Sequence, residues 1–294
     1  MKLSLAFTRI MAGCLIAQCS LLGGIRPLMH AAADSGDNRL FAQSSSAMLD
    51  AAFPSKDISY LLLDARGGEV LAQRWVKADE PIPVGSLIKP FVAVAYGETH
   101  EGRFPRVACH GVPDRCWRPS GHGALTLEPA IAYSCNAYFL ALAAQLSTSQ
   151  VDSTAGEYGI PPPPSNSSPE ALIGLSSDWH VAPLALSRAY LRLMQRPDDP
   201  TVERILSGMA LSAHSGTAQK VDEVLGGRDA LAKTGTAQCR HQPRAAGDGF
   251  VVVMAPAKSP RYLLMVRVHG TTGANAASIA GQMLRLLQSA EHPS

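Results

Sequence analysis

The sequence predicts an α+β fold in which a mostly antiparallel sheet is built from both chain ends. Helices flank this sheet, and a helical subdomain is inserted between its two groups of strands. Strand-like apolar runs occur near both ends of the chain, within residues 58–75 and 231–268. The segment between them shows helical spacing of apolar residues. A final amphipathic stretch, Ala274 to Leu287, predicts a closing helix. Strands at both ends with helices between them are an α+β arrangement.

The composition excludes several classes of protein. The chain has 294 residues, 46% of them hydrophobic, which is enough for a substantial core. With 25 glycines and 21 prolines it falls below the content of a low-complexity chain. A formal net charge of +2 gives no general attraction to nucleic acid or to an anionic membrane, so no nucleic-acid partner is expected. The sequence has no sustained heptads or fixed-period repeats, which disfavours fibrous and solenoid folds.

The N-terminal residues resemble an export signal. Lys2 and Arg9 precede an apolar run over residues 10–25, and three alanines lie just before Asp34. A positive start, an apolar stretch and small residues at the cleavage site are the three parts of a secretory signal. The run is shorter than the roughly 20 residues of a membrane-spanning helix. We therefore expect residues 1–33 to be a signal peptide or an N-terminal membrane anchor, and the rest to be exported.

A short leader, residues 34–57, precedes the first predicted strands. Residues 58–64 and 69–75 are apolar and β-rich, and the Ala-Arg-Gly-Gly segment between them is typical of a turn, which predicts a hairpin. A helical pattern begins at Ser86, which we expect to cap it. Pro90 then falls in the first turn, where a missing N–H costs little.

The middle of the chain is predicted to be helical. Helical spacing extends over residues 126–146, with a break near Ser134, and again over 183–194 and 202–212. Four consecutive prolines at 161–164 predict an extended surface loop.

Strand patterns return in the final third, over residues 231–239, 250–254 and 262–268. We expect these strands and the first hairpin to share one sheet, in a single domain over residues 58–290.

The cysteines leave alternatives open. Four of them follow the export segment: Cys109, Cys116, Cys135 and Cys239. The first two lie in a loop rich in Gly, Pro and Arg, and could form a local disulfide or remain as unpaired buried thiols. The rival is a metal site formed by Cys109, His110, Cys116 and His122. Neither C-x-x-C nor H-x3-H spacing occurs there, so a disulfide or free thiols are favoured over a metal.

The segment Ser86-Leu87-Ile88-Lys89 is the one S-x-x-K of the sequence. A serine at a helix start and a lysine three residues on lie on the same helix face. Serine needs an adjacent base to act as a nucleophile, and a lysine can serve if burial or a second cation lowers its pKa. The alternative is a capping serine followed by a surface lysine.

Two further motifs are also unique. Ser134-Cys135-Asn136 offers a hydroxyl and an amide, suited to shuttling a proton and orienting a substrate; alternatively it is a polar break between helices. Lys233-Thr234-Gly235 lies on a predicted strand. Its lysine could supply the second cation and hold a carboxylate that the threonine also binds. The glycine would let a backbone approach the strand closely.

Together, in this order, the three motifs form the S-x-x-K, S-x-N and K-T-G set of penicillin-binding proteins and serine β-lactamases. From about Ser59 to the closing helix, the chain resembles the transpeptidase domain of penicillin-binding proteins. Longer segments carry the resemblance as well: Gly85 to Phe91, Gly121 to Gly123, Ser134 to Phe139, Ala182 to Leu184 with Ala189-Tyr190, Gly216 to Ala218, and Lys233 to Gln238.

The resemblance implies a role for each motif residue. Ser86 would be the nucleophile and Lys89 its general base. Ser134 would relay a proton to the leaving amine, and Asn136 would orient the substrate amide. The implied catalytic residues are Ser86, Lys89, Ser134, Asn136 and Lys233. The implied substrate-binding residues are Thr234, Gly235 and Thr236. Backbone N–H groups of Ser86 and Thr236 would form the oxyanion hole.

The resemblance also implies a D,D-transpeptidase or D,D-carboxypeptidase acting on peptidoglycan stem peptides. β-Lactam antibiotics would be covalent inhibitors or substrates, and the site would face the periplasm or lie outside the bacterial cytoplasmic membrane. The resemblance also allows partner proteins of the cell wall, without indicating which ones. No cofactor is expected, because the sequence has no Gly-rich phosphate loop, dinucleotide fingerprint or zinc-protease helix. After the export segment the sequence has room for the catalytic domain alone, which favours a small specialised enzyme.

Two alternatives stay open. The first is a serine β-lactamase, whose deacylating base would be Glu170, 36 residues after Ser134. The asparagine that accompanies such a glutamate is missing from the following Ala-Leu-Ile-Gly, so Glu170 is expected on a loop surface. A carboxylated Lys89 could also deacylate. The second is a non-catalytic scaffold, which the three intact motifs disfavour.

Overall fold

A five-stranded antiparallel sheet lies at the centre of the domain, with strand order β2-β1-β9-β8-β7. The computed structural model describes residues 41–227, 229–239, 245 and 247–291. The expected export segment, residues 1–33, lies outside them. The sheet strands are β1 Ile58–Asp64, β2 Val70–Arg74, β7 Leu231–Ala237, β8 Asp248–Ala255 and β9 Tyr262–Val268. Two strands therefore come from the N-terminal part and three from the C-terminal part, which confirms the predicted α+β class.

Helices lie on both faces of the sheet and between its two groups of strands. They are α1 (residues 41–52), α2 Lys89–Thr99, α3 Leu127–Ala132, α4 Asn136–Ala143, α5 Thr148–Glu157, α6 Pro169–Leu172, α7 Pro183–Met194, α8 Pro200–Ser215, α9 Gln219–Leu225 and α10 Gly273–Glu291. Within the described ranges, no helix is long and apolar enough to cross a membrane. Two small sheets complete the fold: β3 Ile82–Pro83 with β6 His180–Val181, and β4 Val107–Cys109 with β5 Gly123–Leu125.

The central sheet is covered on both faces, because alternate residues of each strand enter different cores. On β1, Leu61 and Leu63 join the core that contains the residues of α2, α4 and α7. Tyr60 and Leu62 join the second core, with α9 and α10. The central strand β8 is buried at every position. The strand β7 pairs with β8, and a slip of this pairing by one residue would turn Lys233 to the opposite face of the sheet. Burial of both faces therefore fixes the register of β7.

The structure corrects one local expectation. Ser86 does not cap a helix: Gly85–Ile88 forms a 3₁₀ turn, and α2 begins after it at Lys89. Pro90 lies in the first turn of α2, as predicted. Within the leader, α1 buries Leu49 completely, and the Tyr60 hydroxyl donates to Asp50 Oδ1 at 2.9 Å.

Candidate active site

Lys89 is the most enclosed polar group of the S-x-x-K turn. It is the first residue of α2 and is completely buried. Its Nζ donates hydrogen bonds to the Ser134 carbonyl oxygen at 2.9 Å and to Asn136 Oδ1 at 2.6 Å. Burial disfavours the charged ammonium and lowers the pKa of Lys89 to about 7. A large share of this amine is therefore neutral at neutral pH.

Ser86 lies one turn before Lys89 and is half-buried, and the Lys89 backbone N–H donates to the Ser86 carbonyl oxygen. The preceding Gly85 has a φ of 56°, which favours glycine. A Cβ on Gly85 would lie 2.7 Å from the carbonyl carbon of Thr236 on β7. The Tyr190 hydroxyl of α7 donates to the Leu87 carbonyl oxygen at 2.8 Å. The serine turn is therefore held between β7 and α7.

The S-x-N segment forms the predicted break between two helices. Ser134 is 5% exposed and has a φ of 51°, a strained conformation for a residue with a side chain. Cys135 is the N-cap of α4, so Asn136 is the first helical residue. The Asn136 Nδ2 group donates to the Arg115 carbonyl oxygen at 3.0 Å. This contact turns Asn136 Oδ1 toward Lys89.

Lys233 approaches the same serine from β7. It is completely buried, and its Nζ donates to Ser134 Oγ at 2.8 Å and to the Thr234 carbonyl oxygen at 2.8 Å. Burial lowers the pKa of Lys233 well below its ordinary value, and the charge of Lys89 lowers it further. Lys89 contacts the Ser134 carbonyl oxygen and Lys233 contacts its hydroxyl, and two buried amines this close disfavour a state in which both are positively charged.

The rest of the K-T-G segment packs tightly against its neighbours. A Cβ on Gly235 would lie 2.8 Å from the Val84 carbonyl oxygen, so the 3₁₀ turn and β7 make the expected close backbone approach. Thr234 Oγ1 donates to Thr217 Oγ1 at 2.6 Å. The exposed Thr236 accepts a hydrogen bond from the Gly273 N–H at 3.1 Å through its Oγ1.

The structure thus brings Lys89, Ser134, Asn136 and Lys233 into direct contact and sets Ser86 and Gly235 on adjoining backbone. It also identifies supporting residues that sequence reasoning missed. Thr217 links Thr234 to the end of α3, because its backbone N–H donates to the Ala132 carbonyl oxygen at 3.1 Å. Tyr190 and Thr217 stand in segments that carry the family resemblance, but the contacts they make depend on the tertiary fold.

Glu170 is not a loop residue. It lies in the first turn of α6, is half-buried and forms an ion pair with Arg115. Hydrogen bonds from its own backbone N–H and the Ser168 side chain, together with Arg115, hold the pKa of Glu170 below its usual range. The carboxylate is therefore stabilised in its charged form by local contacts.

The four cysteines of the described chain are unpaired and buried, so the free-thiol alternative is the observed one. Three of them, Cys109, Cys116 and Cys135, surround His122, and the four donor atoms all lie within 4.8 Å of one another. His110, which the sequence grouped with them, is exposed and pairs with Asp114 at 2.9 Å instead. Cys135 takes its place in the cluster, because the S-x-N break folds back onto the loop.

The sheet, the serine–lysine turn and the two buried amines define the active-serine class of acyl-transferring folds. The family described as "Penicillin binding protein transpeptidase domain" matches residues 58–287. This chain belongs to the penicillin-binding protein transpeptidase domain family.

Solved structures show the same fold at low sequence identity. Pseudomonas aeruginosa PBP2 in complex with WCK 5153 matches with a TM-score of 0.70 and 20% identity, over 86% of this chain and 74% of that one. The transpeptidase domain of Burkholderia pseudomallei penicillin-binding protein 3 matches with a TM-score of 0.67 and 17% identity, over 88% and 95%. The complex of Helicobacter pylori PBP2 with MreC gives 0.69 and 18%, over 85% and 62%. No curated protein matches the chain at a significant level.

Proposed function

We propose that this protein is an exported penicillin-binding D,D-transpeptidase or D,D-carboxypeptidase that acts on peptidoglycan stem peptides through an acyl-serine intermediate. Ser86 is the nucleophile and Lys89 its general base. Ser134 relays a proton, and Asn136 orients the substrate amide. Lys233, Thr234 and Thr236 bind the substrate carboxylate and its backbone, and Gly235 lets the serine turn approach β7.

The single observation that carries this proposal is the convergence of all three motifs on two buried amines. Lys89 contacts both residues that flank Cys135, and Lys233 contacts Ser134 Oγ. A capping serine and a surface lysine would show none of this. A neutral amine one helical turn from a half-exposed serine is the base that a weak hydroxyl nucleophile needs.

The chemistry follows from these contacts. Ser86 Oγ attacks the carbonyl carbon of the penultimate D-Ala, and its proton passes to Lys89 Nζ. The N–H groups of Ser86 and Thr236 stabilise the oxyanion that forms, each contributing roughly 3–4 kcal/mol in comparable sites. The C–N bond then breaks, and the terminal D-Ala amine leaves with a proton relayed through Ser134. An acceptor amine or water finally releases the acyl group from Ser86.

The location and partners are part of the same proposal. The charged start, apolar run and small residues before Asp34 support export to the outer side of the cytoplasmic membrane. There the protein would meet peptidoglycan and β-lactams. A relative, H. pylori PBP2, has been solved in complex with MreC. That complex supports the idea of further cell-wall proteins as partners here.

The direct test is product analysis with a stem peptide that ends in D-Ala-D-Ala. The full chain is incubated with this peptide, with and without an amine acceptor, and free D-Ala and acyl-transfer products are quantified. Release of one D-Ala per acyl group transferred or hydrolysed supports the proposal. No D-Ala release above that of Ser86→Ala, in protein of unchanged circular dichroism, contradicts it.

The lifetime of the penicillin adduct in Glu170→Ala distinguishes the β-lactamase alternative from the proposed function. Because this carboxylate is tied to Arg115, we expect Glu170→Ala to leave the lifetime of the penicillin adduct within a few-fold of wild type. An adduct that becomes much longer-lived in Glu170→Ala would instead identify Glu170 as a deacylating base.

A further inference from the structure

The thiol and imidazole groups behind the S-x-N turn form a compact donor cluster. Cys116 Sγ lies 3.8 Å from Cys135 Sγ and 3.4 Å from His122 Nδ1, and Cys109 Sγ lies 3.6 Å from the same nitrogen. The four residues come from the end of β4, the following loop, the segment before β5 and the break between α3 and α4. All three cysteines are buried and the histidine is half-buried.

These separations match the edges of a tetrahedral zinc site. With Zn–S near 2.3 Å and Zn–N near 2.0–2.1 Å, regular tetrahedral geometry puts two sulfurs about 3.8 Å apart, and a sulfur and a nitrogen about 3.5 Å apart. A Cys₃His set is a common structural zinc site. We propose that Cys109, Cys116, His122 and Cys135 bind one Zn²⁺ that clamps the loop of residues 110–121 onto the S-x-N turn.

The surroundings of the donors fit a thiolate site. Backbone N–H groups of Arg118 and Asn136 face the Cys116 sulfur, and that of Tyr138 faces Cys135. Hydrogen bonds of this kind orient metal ligands and stabilise their charge. One Zn²⁺ with three thiolates and a neutral imidazole carries a net charge of −1. The positive charge of Arg118 acts on His122 and would offset it.

The ring of His122 is oriented so that its Nδ1 can bind a metal together with the cysteine sulfurs. It packs between Trp117 and Tyr133, with ring centroids 5.4 and 5.5 Å away, and its Nδ1 faces the sulfurs. Its Nε2 is buried and has no hydrogen-bond partner among the described residues. The polar contacts that fix the ring orientation are therefore those to sulfur.

The loop itself needs such an anchor. Val112 and Trp117 are 66% and 55% exposed, so the loop contributes little apolar surface to the core. Small segments without a core of their own are commonly held by a metal or a disulfide. Here Cys116 and His122 would tie both sides of the loop to Cys135.

The clamp would reach the active site through neighbouring residues. Cys135 stands between Ser134 and Asn136, and Cys116 follows Arg115, whose carbonyl oxygen holds the Asn136 amide. This coupling rests on the proposed acyl transfer, whereas metal binding does not. Because small displacements of catalytic groups slow reactions by as much as 10²-fold, we expect zinc removal to slow acylation on the order of 10- to 100-fold.

The test is metal analysis of the purified full chain, followed by X-ray absorption. We expect one zinc per chain, in a shell of three sulfurs near 2.3 Å and one nitrogen near 2.0 Å. His122→Ala should lose the metal, His122→Cys should keep it as a Cys₄ site, and Cys239→Ser should keep it. The last variant tests the other donor group, formed by Cys239, Asp248 and His269.

Three results would overturn the proposal. They are a wild-type protein that binds neither Zn²⁺ nor Co²⁺ stoichiometrically, a metal shell without sulfur, and zinc that is lost in Cys239→Ser but kept in His122→Ala. If the His122 variants do not fold, Co²⁺ titration of the wild type and of Cys239→Ser decides: thiolate-to-cobalt charge-transfer bands that persist in Cys239→Ser support the three-cysteine site, and bands that are lost in Cys239→Ser overturn it. Ser86→Ala should keep its zinc while losing the acyl adduct, which separates failure of the metal site from failure of the proposed function.

Discussion

The chemistry that we propose for this protein depends at the residue scale on two lysines that the fold buries completely. Lys89 and Lys233 are kept from water and have no carboxylate partner among the described residues, so their pKa values fall and their amines can act as neutral bases. The motif spacing predicted that these residues would meet. It could not predict their burial, because that depends on helices and strands brought together from distant parts of the chain.

The first prediction concerns the pH dependence of acylation. Since the pKa of Lys89 is about 7, the neutral base form should increase as pH rises through that value. We expect the rate constant for acylation by benzylpenicillin to rise between pH 6 and 8 and then level off. Lys89→Ala should be slower by orders of magnitude. The exposed Lys220→Ala serves as the control and should match wild type. A wild-type rate that stays constant over this range would contradict Lys89 as the base.

A second prediction concerns stability. A buried lysine with a lowered pKa releases its proton on folding, so between about pH 7 and its ordinary pKa the unfolded chain binds more protons than the folded one. The free energy of unfolding should therefore rise with pH over this window. One such group contributes at most about 1.4 kcal/mol per pH unit. We expect Lys89→Met to lose roughly 1 kcal/mol per pH unit of this rise, measured by urea unfolding between pH 7 and 9. An unchanged slope in Lys89→Met would show that Lys89 is not the titrating group.

At the element scale, the contact between the 3₁₀ turn Gly85–Ile88 and β7 sets the position of Ser86 relative to the K-T-G segment. Sequence reasoning identified the five strands of the central sheet, α7 and the break between α3 and α4 well, because apolar periodicity and prolines mark them locally. It missed α5, whose start carries a capping box between Ser147 and Gln150. It also expected Ser86 to cap a helix, whereas packing of Gly85 and Gly235 against neighbouring backbone favours a 3₁₀ turn there. Such backbone contacts leave little signal in one sequence.

A prediction at this scale uses Gly85→Ala. Its Cβ would clash with the Thr236 backbone, and its φ of 56° disfavours a side chain. We expect the protein to be destabilised by about 2 kcal/mol or more and acylation to slow. Gly226→Ala is the matched control, because Gly226 has a φ of 71° but open space around it. It should lose about 1 kcal/mol and keep its acylation rate. Equal losses of stability and rate in both variants would show that the close approach to β7 is unimportant.

At the scale of the whole domain, strands from the two terminal parts of the described chain join in one sheet, and α1 contributes to that assembly. Helix α1, within the leader, packs on the second core. Phe41 stacks on Tyr262 with ring centroids 5.3 Å apart, and Leu49 is completely buried. Relatives near 20% identity keep the same fold, which shows that the patterning of the sheet tolerates wide sequence change.

Leu49→Ala tests whether α1 belongs to the folded domain. Removing a fully buried leucine side chain should destabilise the protein by about 2–5 kcal/mol. Met48→Ala, on the same helix and only half-buried, should lose less. Denaturant unfolding of both variants measures the difference. A loss below about 0.5 kcal/mol in Leu49→Ala would mean that α1 is dispensable for folding.

Intact mass of the full chain over time after mixing with benzylpenicillin tests the central claim, that Ser86 is an acylated nucleophile, most directly. We predict a long-lived adduct of one penicilloyl group per chain, mapped to Ser86 by peptide sequencing, and no adduct on folded Ser86→Ala. An adduct that persists in Ser86→Ala would contradict the nucleophile, and a wild-type protein that neither forms an adduct nor consumes the drug would contradict a penicillin-reactive site.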